Sequence, residues 1–179
     1  MFWTRTDATL SLTAEGIDYT LDNRSGLRPY AGLKAIRIEL TSPEPHLAAL
    51  VQLDFARGWP LIVHSHTPAG DISPERSHAF VAFVTELHRR LPPQDRARIV
   101  FRSGLPPMRH KTLVVGAVGF AAPALFLLWG VLAGRVPIGE AIWPVLGGGV
   151  FAAGFTKAAF WARPGTYSPD RLPDGLLPP

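Results

Sequence analysis

The sequence contains no cysteine, which excludes several classes of chemistry. Disulfides, cysteine-ligated zinc, iron–sulfur clusters and thiol catalysis all need that residue. A phosphate-binding P-loop, a G-x-G-x-x-G motif and a G-x-S-x-G elbow are also missing, so nucleotide binding and serine hydrolysis have no support. The positive excess is small, 18 Lys+Arg against 14 Asp+Glu, and does not indicate a nucleic-acid partner. The first ten residues lack an apolar run after a basic start, so we expect no signal peptide.

Charge is absent from residues 112–134, a run of 23 apolar and small residues. A helix of that length spans about 34 Å, enough for a bilayer core of about 30 Å. A second apolar stretch covers residues 141–162, with Trp143 and Trp161 at its ends, where aromatic belts lie. Residues 135–140 are a short turn between the two stretches. The sequence therefore predicts a transmembrane helical hairpin.

The cations beside this hairpin predict its orientation. The basic juxtamembrane segment, residues 96–111, carries no acid and five cations: Arg96, Arg98, Arg102, Arg109 and Lys111. The positive-inside rule then puts both termini in the cytoplasm and the short turn outside, and we expect the inner membrane of a bacterium. Orientation is sufficient to explain the cations. Recognition of anionic phospholipid head groups, which attract each cation by about 1 kcal/mol, is the alternative.

Small residues are frequent in both predicted helices. Gly130 and Gly134 are spaced as a GxxxG pair, and the second helix contains Gly147, Gly148, Gly149, Ala152, Ala153 and Gly154. Small residues let helix backbones approach closely. We expect them to pack the two helices on each other, and docking on another membrane protein is the alternative.

Residues 1–95 alternate apolar and polar positions with a period of two, which predicts β-strands. The alternation covers residues 10–12, 17–21, 36–40, 47–55 and 61–66, and a short strand at residues 27–30 stays open. The period then changes to that of a helix. Ser73 and Pro74 suit its first turn, and an apolar face follows, formed by Phe80, Phe83, Val84, Leu87 and Leu91. We expect an antiparallel meander closed by this C-terminal amphipathic helix.

This order resembles the pleckstrin-homology-like (PH-like) domains of small bacterial membrane proteins. The resemblance depends on LSLTAEGIDYTLDNRSG, on LRPYAGLKAIRIEL with its step at Pro29 and Tyr30, and on SHAFVAFVTELHRRL. It covers residues 8–91. The resemblance implies an α+β fold, an antiparallel PH-like β domain, and a binding or scaffolding role without catalytic residues.

Histidines give the sequence its one candidate for metal or catalytic chemistry. His64 and His66 share a strand face, and Asp71, Glu75 and His78 follow nearby. Histidine and carboxylate side chains form metal sites, but a tight motif such as H-E-x-x-H is missing. Solvent-facing histidines explain the same residues, so a metal-binding protein or enzyme is the weakest alternative.

The tail, residues 163–179, contains five prolines and is expected to be extended. Its apolar residues are Tyr167, Leu172, Leu176 and Leu177. A free tail is the default interpretation. Docking of these side chains into a groove, on the cytosolic domain or on a partner, is the alternative.

These observations predict a non-catalytic, membrane-anchored interaction or scaffold module, an accessory subunit of a larger inner-membrane complex. Expected partners are anionic lipids and either a membrane protein or a second copy of the chain, with no cofactor, metal or nucleic acid. A sensor or binder of anionic phospholipids is the alternative. The expected segments are a cytosolic domain (1–95), the basic segment (96–111), two membrane helices (112–134 and 141–162), their external turn (135–140) and a cytosolic tail (163–179).

Overall fold

The computed structural model describes residues 8–21, 24–42, 48–67, 71–172, 175 and 177. The chain forms two compact units. Met1–Gly104 and Gly165–Pro179 make up the first, called the β unit, and Leu105–Pro164 makes up the second, called the helical unit. The chain therefore leaves the β unit after Gly104 and returns at Gly165, so the β unit extends past residue 95 and includes the tail.

The β unit contains eight strands, two α-helices and one 3₁₀ turn among the described residues. They are β1 (Ala8–Leu12), β2 (Gly16–Leu21), β3 (Arg24–Pro29), the 3₁₀ turn (Tyr30–Gly32), β4 (Leu33–Ser42), β5 (Ala48–Phe55), β6 (Leu61–His64), α1 (Pro74–Arg90), α2 (Pro93–Arg98), β7 (Val100–Ser103) and β8 (Gly165–Thr166). The strand expected over residues 47–55 is present from residue 48, and residue 47 lies outside the described residues. The open question at residues 27–30 is answered by β3, which is a full strand.

The strands form two sheets rather than one antiparallel meander. The first has the order β1-β2-β3, and the second has the order β6-β5-β4-β7-β8. Strand β7 pairs in parallel with β4, with Ile36 opposite Phe101, so the prediction of a purely antiparallel sheet is wrong. A parallel pair needs a long crossover connection. The chain between β4 and β7, which includes α1 and α2, provides it.

Helix α1 begins and packs as the sequence predicts. The Ser73 side chain accepts a hydrogen bond from the Arg76 amide, and Pro74 is in the first turn. Phe80, Val84 and Leu87 are buried. The helix is not the last element of the β unit, however, because α2, β7 and β8 follow it. The expected closing by a C-terminal helix is therefore incorrect.

The core of the β unit lies between the sheets and the apolar face of α1. Its fully buried side chains come from β2, β4, β5 and α1, and burying each contributes about 1.5–3 kcal/mol. They include Ile17, Ile36, Ile38, Val51, Leu53, Val84 and Leu87. Partly buried side chains from the tail pack against the same core: Tyr167, Leu172 and Leu177. The N-terminal strands and the C-terminal tail are therefore parts of one core.

The helical unit consists of two helices, α3 (Pro107–Leu132) and α4 (Ile138–Trp161). Both are long and apolar enough to cross a membrane, and only 11% and 6% of their most apolar windows are buried in protein. The helices of a soluble core would be mostly buried. Helix α3 begins five residues before residue 112, because Pro107 suits a first helical turn, and it therefore includes Arg109 and Lys111.

Gly134 ends α3 rather than packing it. Its φ of +66° lies in the left-handed region that glycine adopts without strain. The Arg135 amide donates to the Gly130 carbonyl at 2.9 Å, and the Gly134 amide donates to the Val131 carbonyl at 3.0 Å. These two bonds form a Schellman motif, which satisfies carbonyls at the helix end. The GxxxG spacing of Gly130 and Gly134 thus reflects a helix end.

Within the glycine triplet of α4, Gly148 is the residue that contacts α3. A Cβ atom at Gly148 would lie 3.1 Å from the Ala124 Cβ and 3.2 Å from the Phe120 carbonyl oxygen. The structure has open space at the other glycines assigned to helix packing: Gly147, Gly149 and Gly154. Ala152 is partly buried, whereas Ala153 is exposed. Much of the small-residue surface of α4 therefore faces away from α3.

Candidate functional site

The basic juxtamembrane segment is divided between the two units. Arg96 and Arg98 belong to α2, and Arg102 belongs to β7, all in the β unit. Arg109 and Lys111 belong to the first turns of α3, in the helical unit. The five cations therefore do not share one secondary-structure element, and each group has its own surroundings.

Arg96 is bound to the C-terminal end of α1. Its Nη2 donates to the His88 carbonyl at 2.8 Å, and its Nε donates to the Leu91 carbonyl at 3.0 Å. Its Nη1 lies 3.0 Å from the Asp170 carboxylate in the tail. A cation at this place satisfies terminal carbonyls and complements the negative end of the helix dipole. Arg96 therefore holds α1, α2 and the tail together.

Arg98 has a similar structural role. It lies 2.9 Å from the carboxylate of Asp95, which is buried, and its Nη2 donates to the Tyr30 carbonyl at 2.9 Å. The remaining cations of the segment, Arg102, Arg109 and Lys111, are exposed. The charge left for an external anion is therefore concentrated in these three residues.

The tail adds a strand to the β unit. Thr166 pairs with Arg102, and Gly165 pairs with Ser103, in the antiparallel β7–β8 pair. A Cβ atom at Gly165 would lie 2.7 Å from the Ser103 Oγ, so glycine permits this close approach. The two points at which the chain leaves and re-enters the β unit are therefore neighbours in one sheet.

Tyr167 anchors the tail in a pocket beside β7. Its ring centroid lies 5.6 Å from that of Phe101, in an edge-on arrangement, and 5.7 Å from that of His88. Its hydroxyl lies 3.0 Å from the His88 Nε2. Such aromatic contacts contribute about 0.5–1.5 kcal/mol each beyond burial. We call the pocket formed by His88, Phe101 and Arg96, together with the edge of β7, the tail groove.

The protonation state of His88 follows from its hydrogen bonds. Its Nδ1 lies 2.7 Å from the Val84 carbonyl, an acceptor, so Nδ1 carries the proton. In the neutral ring, Nε2 then accepts from the Tyr167 hydroxyl. Burial lowers the pKa of His88 below its ordinary value, and the nearby Arg96 acts in the same direction. Burial also raises the pKa of Tyr167, so both groups are neutral in their hydrogen bond.

The described residues of the tail that follow Tyr167 also contact the β unit. The Arg171 amide donates to the Ser168 carbonyl at 3.2 Å, which closes a turn containing Pro169 and presents Asp170 to Arg96. Leu172 and Leu177 pack against the core, while Leu176 lies outside the described residues. The described part of the tail is thus docked on its own β unit, as in the alternative to a free tail.

The sequence analysis predicts no role for His88 or Phe101 in a site, although one signal is present. His88 follows Val84 by four residues, so it lies on the apolar face of α1, where a polar side chain needs a buried partner. Phe101 lies in an apolar run, residues 99–101, between Arg98 and Arg102, a pattern that fits either a short strand or a segment at the membrane interface. The structure makes it the buried centre of β7.

The histidines considered for metal binding do not assemble into a site. The rings of His64 and His66 have centroids 4.9 Å apart, and His78 is exposed on α1. Among the residues that the structure describes, no group of three His, Asp or Glu side chains is placed to hold a metal ion. Burial and the neighbouring His66 lower the pKa of His64.

The helical unit has an open apolar groove of about 380 Å³. It is lined by Leu113 of α3 and by Val150, Phe151, Gly154, Phe155 and Ala158 of α4. The small side of this groove is formed by Gly154 and Ala158, four residues apart on the same helix face. Lipid tails or another helix match this apolar surface chemically.

Comparisons of the chain with protein-family models, with curated proteins and with solved structures find no match. The resemblance to PH-like domains therefore stays a prediction.

Proposed function

We propose that the protein is a non-catalytic, membrane-anchored interaction module, in which the hairpin of α3 and α4 holds the β unit at one surface of a membrane. The observation that carries this proposal is the β7–β8 pair, in which Ser103 and Gly165 are partners although 60 residues of the helical unit separate β7 from β8. If α3 and α4 cross a membrane, this pair requires both ends of the hairpin to be on the same side. The hairpin then acts as an anchor inserted into a β domain.

The side of the membrane follows from charge. Arg109 and Lys111 begin α3, whereas the other end of the hairpin carries Arg135 between the helices and Glu140 in the first turn of α4. The positive-inside rule favours a cytoplasmic β unit, both termini in the cytoplasm, and the turn outside, in the inner membrane of a bacterium.

The exposed helix faces support a role in a larger assembly. Large apolar side chains are exposed along both helices, among them Phe126, Trp129, Val150 and Phe160. Lipid covers such side chains in a monomer, and a helix of a membrane protein or of a second copy covers them in a complex. We therefore propose an accessory subunit or scaffold, with a membrane protein as its principal partner.

A PH-like ancestry of the β unit belongs to the same proposal. The order of a three-stranded antiparallel sheet, an antiparallel β4–β5–β6 group and the amphipathic helix α1 supports it. The parallel strand β7 and the tail strand β8 are additions to that order, and they are the strands next to the membrane helices in the chain.

The absence of cysteine makes topology the first test. Single-cysteine variants Thr20→Cys in the β unit and Gly139→Cys at the N-terminal end of α4, next to the turn, are labelled with a membrane-impermeant maleimide in intact bacterial spheroplasts and in inverted membrane vesicles. We expect Gly139→Cys to react in spheroplasts and Thr20→Cys in inverted vesicles. Ala153→Cys, exposed on α4, is the matched control and should react in neither, because lipid surrounds it. Labelling of both soluble positions from one side would contradict the hairpin.

The interaction role is tested by purification of the tagged full chain from its native membrane in mild detergent. A membrane protein recovered in stoichiometric amount is the expected result. Recovery of the chain alone, with no stoichiometric protein, would contradict the accessory-subunit proposal.

A specific observation favours anionic lipids as a second ligand class. Arg109 and Lys111 occupy the first turns of α3, where the helix dipole disfavours cations and acidic residues are absent from the first turn. Anionic head groups offset this unfavourable charge. Retention of phosphatidylglycerol by the purified chain, measured by mass spectrometry, should fall in Arg109→Gln/Lys111→Gln and stay unchanged in Arg135→Gln. Equal retention in all chains would contradict lipid selectivity.

A further inference from the structure

We infer that the tail groove is a peptide-recognition site for a partner protein, and that in this structure the tail occupies it as an intramolecular ligand. The inference rests on the proposed function and deepens it by naming the binding surface. The partner segment would be extended, would contain a tyrosine, and would carry a carboxylate three residues later, on the same side of the membrane as the β unit.

The mode of binding is strand addition, in which backbone pairing to a sheet edge provides affinity and side-chain pockets provide specificity. Strand β7 is paired with β4 on one side, and its other side pairs with β8 through only two residues, Gly165 and Thr166. Its edge is therefore available to any extended segment that replaces β8.

The pockets define which segment fits. The ring of Tyr167 lies against Phe101, and the hydroxyl reaches the buried His88, so an aromatic ring with a hydrogen-bonding tip is selected. Three residues later, the Asp170 carboxylate pairs with Arg96. Carbonyls of α1 and of Leu91 already fix the Arg96 guanidinium, so the site is preorganised for a carboxylate.

The hold of the tail on this groove is weak enough for exchange. The Asp170 side chain is 74% exposed, and pairs exposed to that degree contribute little. Gly165 and Thr166 are exposed, so the tail is held by Tyr167 and by the partly buried Leu172 and Leu177. A covalently attached ligand nevertheless has a high effective concentration, so a partner segment must compete with the tail.

The test uses the full chain in detergent micelles and a fluorescent peptide with the sequence of residues 164–172. In Tyr167→Ala/Asp170→Ala, the tail lacks the aromatic ring and the carboxylate that occupy the tail groove, and the groove residues are unchanged. We expect fluorescence anisotropy to show peptide binding at least ten-fold tighter to this variant than to the wild-type chain. Two peptides are matched controls: the one with alanine in place of the tyrosine should bind at least ten-fold more weakly, and the one with alanine in place of the aspartate should bind more weakly by about five-fold or less.

Hydrogen exchange of the wild-type chain provides the second measurement. Excess peptide should accelerate exchange in residues 165–172 and leave α1 unchanged, because it displaces the tail alone. No binding to the double variant together with unchanged exchange in the wild-type chain would overturn the inference. Tyr167-dependent co-purification of two differently tagged copies would also overturn it, because the occupant would then be a second copy.

These results are independent of the topology and purification experiments. If the peptide does not bind but a stoichiometric partner is recovered, the tail groove is not a peptide-recognition site, and the proposed interaction function still stands. Peptide binding with no partner recovered would refute the accessory-subunit proposal and keep the groove as a peptide site.

Discussion

Replacement of Arg96 by alanine distinguishes a structural arginine from a lipid-binding one. The variant loses the bonds to the His88 and Leu91 carbonyls and the ion pair with Asp170. Hydrogen bonds from a charged donor contribute about 1.5–3 kcal/mol each, and neighbouring bonds are not additive, so the two together are expected to contribute about 2–3 kcal/mol. The ion pair adds less than about 1 kcal/mol, because the carboxylate is 74% exposed.

Hydrogen exchange of the α1 amides, followed by mass spectrometry on the full chain, measures this loss as a change in opening free energy. A loss of about 2–3 kcal/mol corresponds to exchange about 30- to 150-fold faster. Arg102→Ala is the matched control, because Arg102 is an exposed arginine of the same segment. Asp170→Asn should change exchange by about five-fold or less. Equal exchange rates of the α1 amides in the Arg96 and Arg102 variants would refute the structural role of Arg96. Arg96 would then belong with Arg102, Arg109 and Lys111 as a cation free to bind anionic lipids.

Three further predictions follow from other parts of the molecule. Gly58→Ala should destabilise the β unit by about 1–3 kcal/mol in hydrogen exchange, because φ is +87° there and a Cβ would meet the Arg28 guanidinium; an unchanged exchange rate would contradict it. The free energy of unfolding of the β unit should fall as pH decreases below about 6.5, because the pKa of His88 is lower in the folded chain and the unfolded chain takes up the proton first. His88→Gln should make this free energy depend less on pH, and an equal pH dependence in both chains would refute the role given to His88. Gly148→Leu should lower the thermal stability of the helical unit far more than Gly147→Leu, because only Gly148 faces α3, and equal effects would contradict the packing.

Local patterns in the sequence are sufficient to predict most elements of the β unit. The period of two indicates β1, β2, β4, β5 and β6, and the cap at Ser73 indicates α1, because each pattern depends on residues within one turn or one strand. The apolar helices follow in the same way from the length of the two apolar runs.

Contacts between distant segments are not encoded in such patterns. Tyr167 contacts His88, which lies 79 residues earlier in the chain, and Phe101, which lies 66 residues earlier. No local sequence pattern predicts contacts between residues so far apart in the chain. The partner of β7 is equally non-local, so its alternation could not indicate a parallel pair with β4. Glycine spacing misleads for a different reason. The sequence shows Gly130 and Gly134 four apart, but a helix end and a helix contact both favour glycine there.

The chain segment that leads into α3 and the segment that follows α4 run antiparallel to each other, and this is seen in each unit separately. In the β unit, Ser103 pairs with Gly165. In the helical unit, the Leu105 amide donates to the Ala162 carbonyl at 3.1 Å, and the His110 Nε2 lies 3.1 Å from the Ala159 carbonyl oxygen. In each pair, a residue further along the first segment meets a residue further back on the second. The return of the chain therefore rests on strand pairing in the β unit, and on one backbone bond and one side-chain bond in the helical unit. If α3 and α4 cross a membrane, these pairs require both ends of the hairpin to lie on the same side, and the flanking cations then favour which side that is.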